Sequence, residues 1–230
     1  MTDPLPITTT TPALSDRSGV TDAVRAQILA TEHWSLLATR GMTWNEVFSR
    51  ASMYMTVLSA AVVALALVAQ ATAFGPGFRL FALLVLPIVL LVGIATVIRL
   101  GDANTEDFGL VSGMNRLRHA YLELAPELEP YFITAHHDDE AGIMLTYQLV
   151  RHSGLRFSRV LAGTPTVVGA INVVVAGVLA ALIADTLGAS DVTNVVVGIV
   201  AALAAAIGFG LLAATTIAGV RREYRPRFPR

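Results

Sequence analysis

The strongest constraint on this 230-residue chain is that it contains four uncharged stretches, each long enough to cross a lipid bilayer. One occupies about 52–74, one lies between Arg79 and Arg99, one covers about 164–184, and the last lies between Asp191 and Arg221. At 1.5 Å rise per residue, the second stretch alone reaches about 28 Å, which matches a hydrocarbon core of about 30 Å. We therefore expect an all-α membrane protein with four transmembrane helices.

The composition supports this expectation and excludes several kinds of chemistry. Charged residues make up only 14% of the chain and apolar residues 54%, whereas soluble proteins carry about 25% charge. This leaves too little polar surface to cover a soluble core. The sequence contains no cysteine and no lysine. Thiol nucleophiles, thiolate metal sites and the P-loop lysine are therefore excluded.

The distribution of arginine predicts the orientation in the membrane. Four arginines precede the first span, six lie between the second and third, and five follow the fourth, whereas the two short connections contain only Arg79. Because arginine accumulates on the cytoplasmic side, we expect a multi-pass protein of the inner (cytoplasmic) membrane with both termini in the cytoplasm. The spans then form two hairpins that each enter from the cytoplasm.

These patterns divide the chain into six segments. The first, residues 1–20, is rich in Thr and Pro and predicts a disordered arm. Amphipathic cytoplasmic helices are expected before the first span, one capped by Thr21 and Asp22 and ending near Gly41, and another starting at Thr43. The predicted segments are the arm 1–20, cytoplasmic helices 21–51, transmembrane hairpin one 52–100, a cytoplasmic helical segment 101–162, transmembrane hairpin two 163–220, and a basic cytoplasmic tail 221–230.

The polar segment between the two hairpins predicts two further helices. The first carries apolar residues at alternating intervals of four and three, which is a heptad-like pattern; they are Leu110, Met114, Leu117, Tyr121 and Leu124. Pro126 and Pro130 end it, and Asp138 and Asp139 can cap a second helix that carries Ile143, Tyr147 and Val150. About sixty residues are few for an independent core, so we expect these helices to pack on the N-terminal helix or on another subunit.

Small residues predict where the spans pack closely. Span four has a small residue at every fourth position, and span three has a similar row; the candidate packing residues are Gly198, Ala202, Ala206, Gly210, Ala214, Gly169 and Gly177. Such rows let helix backbones approach closely in lipid. The sequence leaves open whether the partner is span three or another subunit.

Polar groups inside the spans are few. No ionisable side chain is present there, which argues against a proton-coupled transporter. The deepest polar residue is Asn172, which predicts either an interhelical hydrogen bond or a pore-lining group.

Two polar clusters outside the spans are candidate sites. His119, His136, His137 and Asp139 suit a divalent metal, although the alternative is a solvated loop whose aspartates cap the next helix. In the tail, Arg221, Arg222 and Arg225 favour contact with anionic lipid headgroups. No other cofactor is predicted, and nucleic-acid binding is not expected because these arginines directly follow a span.

Three stretches resemble a group of uncharacterised small bacterial integral membrane proteins with four transmembrane helices. They are LLATRGMTWNEVFSRASM, GMNRLRHAYLELAPELEPYF and HHDDEAGIM. The resemblance implies a membrane fold and brings no catalytic or binding residue with it.

The sequence therefore leads to three hypotheses about function. The first is a non-enzymatic subunit of a homo-oligomeric membrane assembly or sensor, whose cytoplasmic helices contact a protein partner. The second is an oligomeric channel or transporter subunit. The third is a metal-dependent enzyme at the cytoplasmic face.

Overall fold

A computed structural model describes residues 19–149 and 163–230, and these residues form helices with short connections and no strand. Four helices are long and apolar enough to cross a membrane, so the prediction of an all-α chain with four such segments is confirmed. The predicted arm falls almost entirely outside the described residues, as does Val150. The elements are α1 Asp22–Thr72, α2 Pro76–Leu124, a 3-10 helix Pro126–Tyr131, α3 Glu140–Leu149, α4 Thr164–Thr186 and α5 Asp191–Glu223.

The first two helices are much longer than a bilayer requires. α1 has 51 residues, which corresponds to about 76 Å of helix. The predicted break near Gly41 is wrong, because α1 continues through this residue into the apolar stretch. One glycine costs a helix only about 1 kcal/mol, and the neighbouring Arg40 and Trp44 are both fixed by a carboxylate on α2. As predicted, Thr21 caps α1 by accepting a hydrogen bond from Val24 N at 3.4 Å.

The second helix also continues past its apolar part. α2 includes the predicted second span and the heptad-like residues in one helix, so the segment after Arg99 is not a separate helix. It ends at Leu124, just before Pro126, as the prolines predict. A 3-10 helix then follows, and no pattern in the sequence predicts it.

Short turns join the long helices at one end of the bundle. α1 ends with Ala73 and Phe74 in the left-handed region, at φ values of 47° and 60°, and Pro76 starts α2. Four residues separate α4 from α5. Arg79 and Asp185 form an ion pair with 3.0 Å between Nε and Oδ2. This contact links the first turn of α2 to the last turn of α4.

The long helices pack in the order α1, α2, α4, α5. The main apolar core is shared by the first three, and its most buried members are Val47, Tyr54, Ala82, Val89, Leu100, Ala103 and Val168. Each outer helix, α1 and α5, therefore has one main neighbour within the described part of the chain. A wide face of each remains outside the core.

A glycine in α2 makes room for the deepest polar side chain. Asn172 of α4 is fully buried, and its amide group lies against the backbone of Gly93, where an added Cβ would be 1.9 Å from Oδ1. Asn172 Oδ1 accepts a hydrogen bond from the Tyr54 hydroxyl at 3.4 Å, and Nδ2 donates to Val168 O at 3.0 Å. Three of the four long helices therefore meet at Asn172.

The substitution Gly93→Ala is expected to destabilise the bundle. Its methyl group would overlap Asn172, and overpacking of this kind costs about 1–3 kcal/mol. Unfolding in detergent, followed by circular dichroism, measures the loss. The matched control is Gly41→Ala in α1, where no atom lies within 4 Å of the added Cβ and helix propensity favours alanine by up to about 1 kcal/mol. Equal stabilities of the two variants would contradict this packing.

Candidate functional site

Polar and charged residues gather at the end of the bundle opposite the short turns. We call this region the polar layer; it consists of residues 22–50 of α1, 99–124 of α2, residues 125–149 and the tail 221–230. Most of the buried polar side chains belong to it, namely Asp107, Ser112, Asn115, Asp138 and Thr146. Because burying polar groups is costly unless they are paired, their partners define how the layer is built.

The most connected of these groups is the carboxylate of Asp107 on α2, whose side chain is 4% exposed. Arg40 of α1 donates to it through Nε at 2.6 Å and Nη2 at 3.2 Å. Trp44 Nε1 donates at 2.9 Å, and the Tyr147 hydroxyl of α3 donates at 2.7 Å. One carboxylate thus joins α1, α2 and α3.

The electrostatics of this carboxylate follow from its donors. Burial on its own would raise the pKa of Asp107, but the hydrogen bonds from Arg40, Tyr147 and Trp44 outweigh burial and lower it. Burial and the adjacent carboxylate raise the pKa of Tyr147. The group is therefore a carboxylate held by a neutral phenol, an indole and a guanidinium. Every group has a partner, which indicates a structural connection between helices rather than a poised acid or base.

A second set of charges lies where the apolar part of α2 ends. Arg99 donates through Nε to Glu46 of α1 at 3.0 Å and through Nη1 to Glu106 at 2.9 Å. Arg50 also pairs with Glu46. These partly exposed pairs contribute little each, but they fix α1 against α2 at the boundary between the apolar and polar regions.

The buried amide of Asn115 connects α2 to the segment after it. Its Nδ2 donates to the His137 carbonyl at 2.8 Å, and its Oδ1 accepts from Arg118 at 2.7 Å and from the Thr146 hydroxyl at 3.1 Å. Asn115 is completely buried. It therefore holds the loop before α3, and α3 itself, against α2.

The two aspartates before α3 have different roles. Asp139 caps the helix as predicted, because its Oδ1 accepts from Gly142 N at 2.6 Å. Asp138 does not cap α3; its fully buried carboxylate accepts from Phe228 N at 2.7 Å, Arg227 N at 2.9 Å and Arg116 Nε at 2.6 Å. The prediction of a second cap is wrong because the tail supplies stronger partners for Asp138.

The tail folds back over the polar layer. The Tyr224 hydroxyl bonds with the Ser112 hydroxyl and donates to the Asp138 carbonyl, and its ring meets Phe108 edge-on at 5.1 Å. Among the predicted lipid-binding arginines, Arg221 pairs with Glu140. Arg222 is exposed, and the Arg225 carbonyl accepts from Arg116 Nη2 at 3.5 Å. The tail is thus attached to the layer at several points.

The predicted metal-binding histidines lie close together beneath the tail. The ring centroids of His136 and His137 are 4.1 Å apart, and His119 is 6.3 Å from each. Phe228 stacks on His119 at 4.3 Å. Burial and the neighbouring His137 lower the pKa of His136. In the described part of the chain, however, no three His, Asp or Glu side chains are placed to hold one metal ion, and Asp139 is used by α3 and the tail.

The small-residue rows meet at one crossing. A Cβ added to Gly177 of α4 would lie 2.9 Å from the Gly198 carbonyl of α5 and 3.1 Å from Ala202 Cβ. The structure therefore brings Gly177, Gly198 and Ala202 together. The other candidates are elsewhere: no atom lies within 4 Å of an added Cβ at Gly169 or Gly210, and Ala206 and Ala214 are exposed.

A cavity of about 720 Å³ separates the second half of α5 from α2. Its walls are mostly apolar and include Ile98, Phe108 and Leu212, while Asp102, Glu140 and Arg221 lie at its polar end. Nothing in the sequence had predicted this cavity.

Asp107 is not among the site residues predicted from the sequence, although the sequence contains a signal for its buried carboxylate. Asp107 lies three residues before Leu110 and therefore extends the heptad-like pattern by one position. That pattern packs against α1, where Leu36 approaches Gly113 and His33 lies 6.2 Å from the Tyr121 ring. A charge at such a position indicates a buried ion pair. The predicted packing on the N-terminal helix is thus observed.

The chain has no match among known protein-family models, curated proteins or solved structures. The fold and the polar layer therefore define the class: an all-helical chain with four candidate membrane-spanning helices, which suggests a multi-pass membrane protein.

Removing the charge of Asp107 is expected to destabilise the polar layer. Asp107→Asn keeps the size of the side chain but leaves Arg40 without its anionic partner, and breaking a largely buried pair costs about 3 kcal/mol. The free energy of unfolding in detergent measures this loss. Asp102→Asn is the control, because Asp102 is exposed on the same helix and surface changes stay within about 0.5 kcal/mol. A similar stability for both variants would argue against the role of Asp107.

The attachment of the tail is expected to weaken in acid. The backbone N–H groups of Arg227 and Phe228, together with Arg116, lower the pKa of Asp138 despite its burial. A lowered folded pKa means that the stabilisation is complete above the unfolded value of about 3.9 and is lost as the pH falls through the folded value. The difference in unfolding free energy between the unmodified protein and Asp138→Asn should therefore shrink below about pH 4. A constant difference from pH 7 to pH 3 would contradict this.

Proposed function

We propose that this chain is a non-enzymatic subunit of a homo-oligomeric assembly or sensor in the cytoplasmic membrane. The observation that carries the proposal is the continuity of α1 and α2, which pass without a break from candidate spans into the polar layer. There Asp107 connects both helices to α3. A rigid connection of this kind suits a protein that transmits a change from one side of the membrane boundary to the other.

The polar layer is the part that receives the signal or the partner. Its buried carboxylates, Asp107 and Asp138, are paired with side chains or backbone groups of the chain, which favours a structural role for them. Displacing a few of these contacts would release α3 or the tail. A protein partner that binds the cytoplasmic helices can therefore change the position of the spans.

The proposed topology has two transmembrane hairpins with both termini in the cytoplasm. Fifteen of the sixteen arginines lie before, between or after the hairpins, and only Arg79, in the first turn of α2, lies at the end with the short turns, in keeping with the accumulation of positive charge inside. The contacts of the tail with Ser112 and Asp138 support the assignment of the tail and the central segment to one side. Exposed arginines such as Arg222 are available there for anionic lipid headgroups.

The channel or transporter subunit is the second candidate, and the cavity beside α5 favours it. A cavity of about 720 Å³ with one polar end could admit a solute. Its residues lie at the end of the bundle nearest the polar layer, mostly on α2 and α5, with Met144 of α3 and Pro165 of α4, and Asn172, deeper in the bundle, is fully buried. A transport path would therefore need a second subunit. No particular contact favours the metal-dependent enzyme.

Reconstitution tests the proposal. In lipid nanodiscs the particle mass is expected to correspond to several copies of the 24.3 kDa chain, and liposomes containing only this protein are expected to retain a trapped ionic dye. A fluorescent reporter fused after Arg230 should fold in the cytoplasm, and a phosphatase inserted between α4 and α5 should be active outside it.

Each measurement has an outcome that contradicts the proposal. A single chain in each nanodisc would rule out the homo-oligomer. Rapid dye loss that depends on the protein would favour the channel instead. Matched empty nanodiscs and liposomes serve as controls. An active phosphatase fused after Arg230 would overturn the topology.

A further inference from the structure

The cavity between α2 and α5 is long and narrow, with one face of each helix as its two main walls. On α5 the lining residues follow the spacing of a single helical face from Phe209 to Val220, and on α2 they run from Val97 to Phe108. The α5 wall covers eleven steps of the helix, which corresponds to about 16 Å. Half of a hydrocarbon core of about 30 Å is about 15 Å. The cavity therefore has about the length of the acyl region of one leaflet.

The hydroxyl groups in these walls are already satisfied by their own helices. Thr216 donates to Leu212 O at 2.9 Å, and Thr105 donates to Gly101 O at 3.3 Å. Most of the other wall side chains, such as Ile98, are apolar. A ligand with polar groups along its length would lose its hydrogen bonds to water in this space without gaining partners. The walls therefore fit an apolar chain.

The charged residues of the cavity lie at its polar end and offer both signs of charge. Asp102 of α2 is exposed, and within the described part of the chain its carboxylate has no hydrogen bond or ion pair. Arg221 of α5 pairs with Glu140, but both side chains are more than half exposed, and a guanidinium has five N–H donors. An unpaired carboxylate and a guanidinium complement the ammonium and phosphate groups of a zwitterionic headgroup.

The position of the cavity along the bundle distinguishes it from ordinary contact with lipid. Phe108 packs edge-on against Tyr224, so nine residues back along both helices Arg99 lies at about the level of Thr215. Past this level α2 is charged, yet the α5 wall stays apolar as far as Val220. That distance is about 8 Å, similar to a headgroup region of about 5–7 Å. A surrounding lipid has only polar groups at this height, whereas a chain inside the cavity would cover the apolar wall.

We infer that the cavity binds one phospholipid with an ammonium headgroup, of the phosphatidylethanolamine type, from the leaflet next to the polar layer. An acyl chain lies between α2 and α5, the phosphate contacts Arg221, and the ammonium group contacts Asp102. The volume of about 720 Å³ lies within the range of about 300–1,000 Å³ that is typical of ligand sites. The bound lipid would connect α5 to α2 across the space that separates them. This inference goes beyond the proposed function and does not depend on the number of subunits.

Retention of lipid tests the inference. The full chain is incorporated into nanodiscs with equal amounts of phosphatidylethanolamine, phosphatidylglycerol and phosphatidylcholine, transferred to mild detergent, and examined by native mass spectrometry. One phosphatidylethanolamine per chain is expected to remain. Because only its headgroup offers Asp102 a cation with N–H donors, an enrichment on the order of fivefold over each of the other two lipids is expected.

Filling the cavity is expected to remove the bound lipid. Ala213→Trp places an indole in the α5 wall, and Ala213 lines the cavity. The matched control is Ala214→Trp, because Ala214 is the next residue and is exposed outside the cavity. The Ala213 variant should retain at least about tenfold less lipid than the control. Circular dichroism of both variants checks that the helices remain folded.

A second pair of variants tests the headgroup contact. Asp102→Asn is expected to abolish the preference for phosphatidylethanolamine while a lipid is still retained, because the apolar walls are unchanged. Glu32→Gln removes the same charge from an exposed position on α1 and is expected to keep the preference. The stability of the Asp102 variant in detergent without lipid is not expected to change, so a loss of preference would not reflect unfolding.

The outcomes that contradict the inference are distinct from those that contradict the proposed function. Absence of retained lipid would overturn the inference and would leave detergent or residues 150–162, which connect α3 to α4, as the occupant of the cavity. Equal retention by the Ala213 and Ala214 variants would place the lipid elsewhere on the surface. Retention without a headgroup preference in the unmodified protein would also overturn it. Lipid is counted per chain, so none of these results depends on whether the particle contains one copy or several.

Discussion

The arrangement of the polar layer depends on one buried carboxylate. Asp107 accepts hydrogen bonds from Arg40, Trp44 and Tyr147, and these three donors belong to the two other helices of the layer. A lone buried charge is very costly, whereas a fully hydrogen-bonded one can be accommodated. Removing either the Arg40 guanidinium or the Asp107 carboxylate would therefore leave the other charge without its partner. Their contact fixes the polar half of α1, which otherwise has few apolar contacts to hold it.

The spans are held together by different forces. In lipid, close backbone approach replaces the hydrophobic effect, and the contacts at Gly93 and Asn172 and at Gly177 and Gly198 are both of this kind. In the polar layer, charge-assisted hydrogen bonds such as those to Asp107 and Asp138 connect the helices and the tail. The two regions meet near Arg99 and its partner Glu46. Because α1 and α2 belong to both regions, the two sets of contacts act on the same rigid helices.

The sequence predicted what depends on local chemistry. The lengths of the uncharged stretches predicted the four candidate spans. Thr21 correctly predicted the start of α1, and Pro126 correctly predicted the end of α2. The predictions from sequence were wrong where contacts between residues far apart in the chain determine the structure. Asp138 has the sequence context of a helix cap, yet its partners lie 89 and 90 residues further along the chain. Gly93 is unremarkable in sequence, and only the packing of α4 shows why a side chain there would collide. Gly41 predicted a break in α1, but the helix is continuous there and its neighbours Arg40 and Trp44 both donate hydrogen bonds to Asp107.

The position of the ionisable groups indicates how such a protein could respond to its surroundings. The four uncharged stretches contain no Asp, Glu, His or Arg, so a change in the charge of these groups can occur only in the layer or near the short turns. Within the layer, α1 has the Asp107 contact on one side, and Ala38 and Met42 on its other side are exposed. Because α1 is continuous from the layer into its candidate span, any change at the Arg40 contact would act on the whole helix.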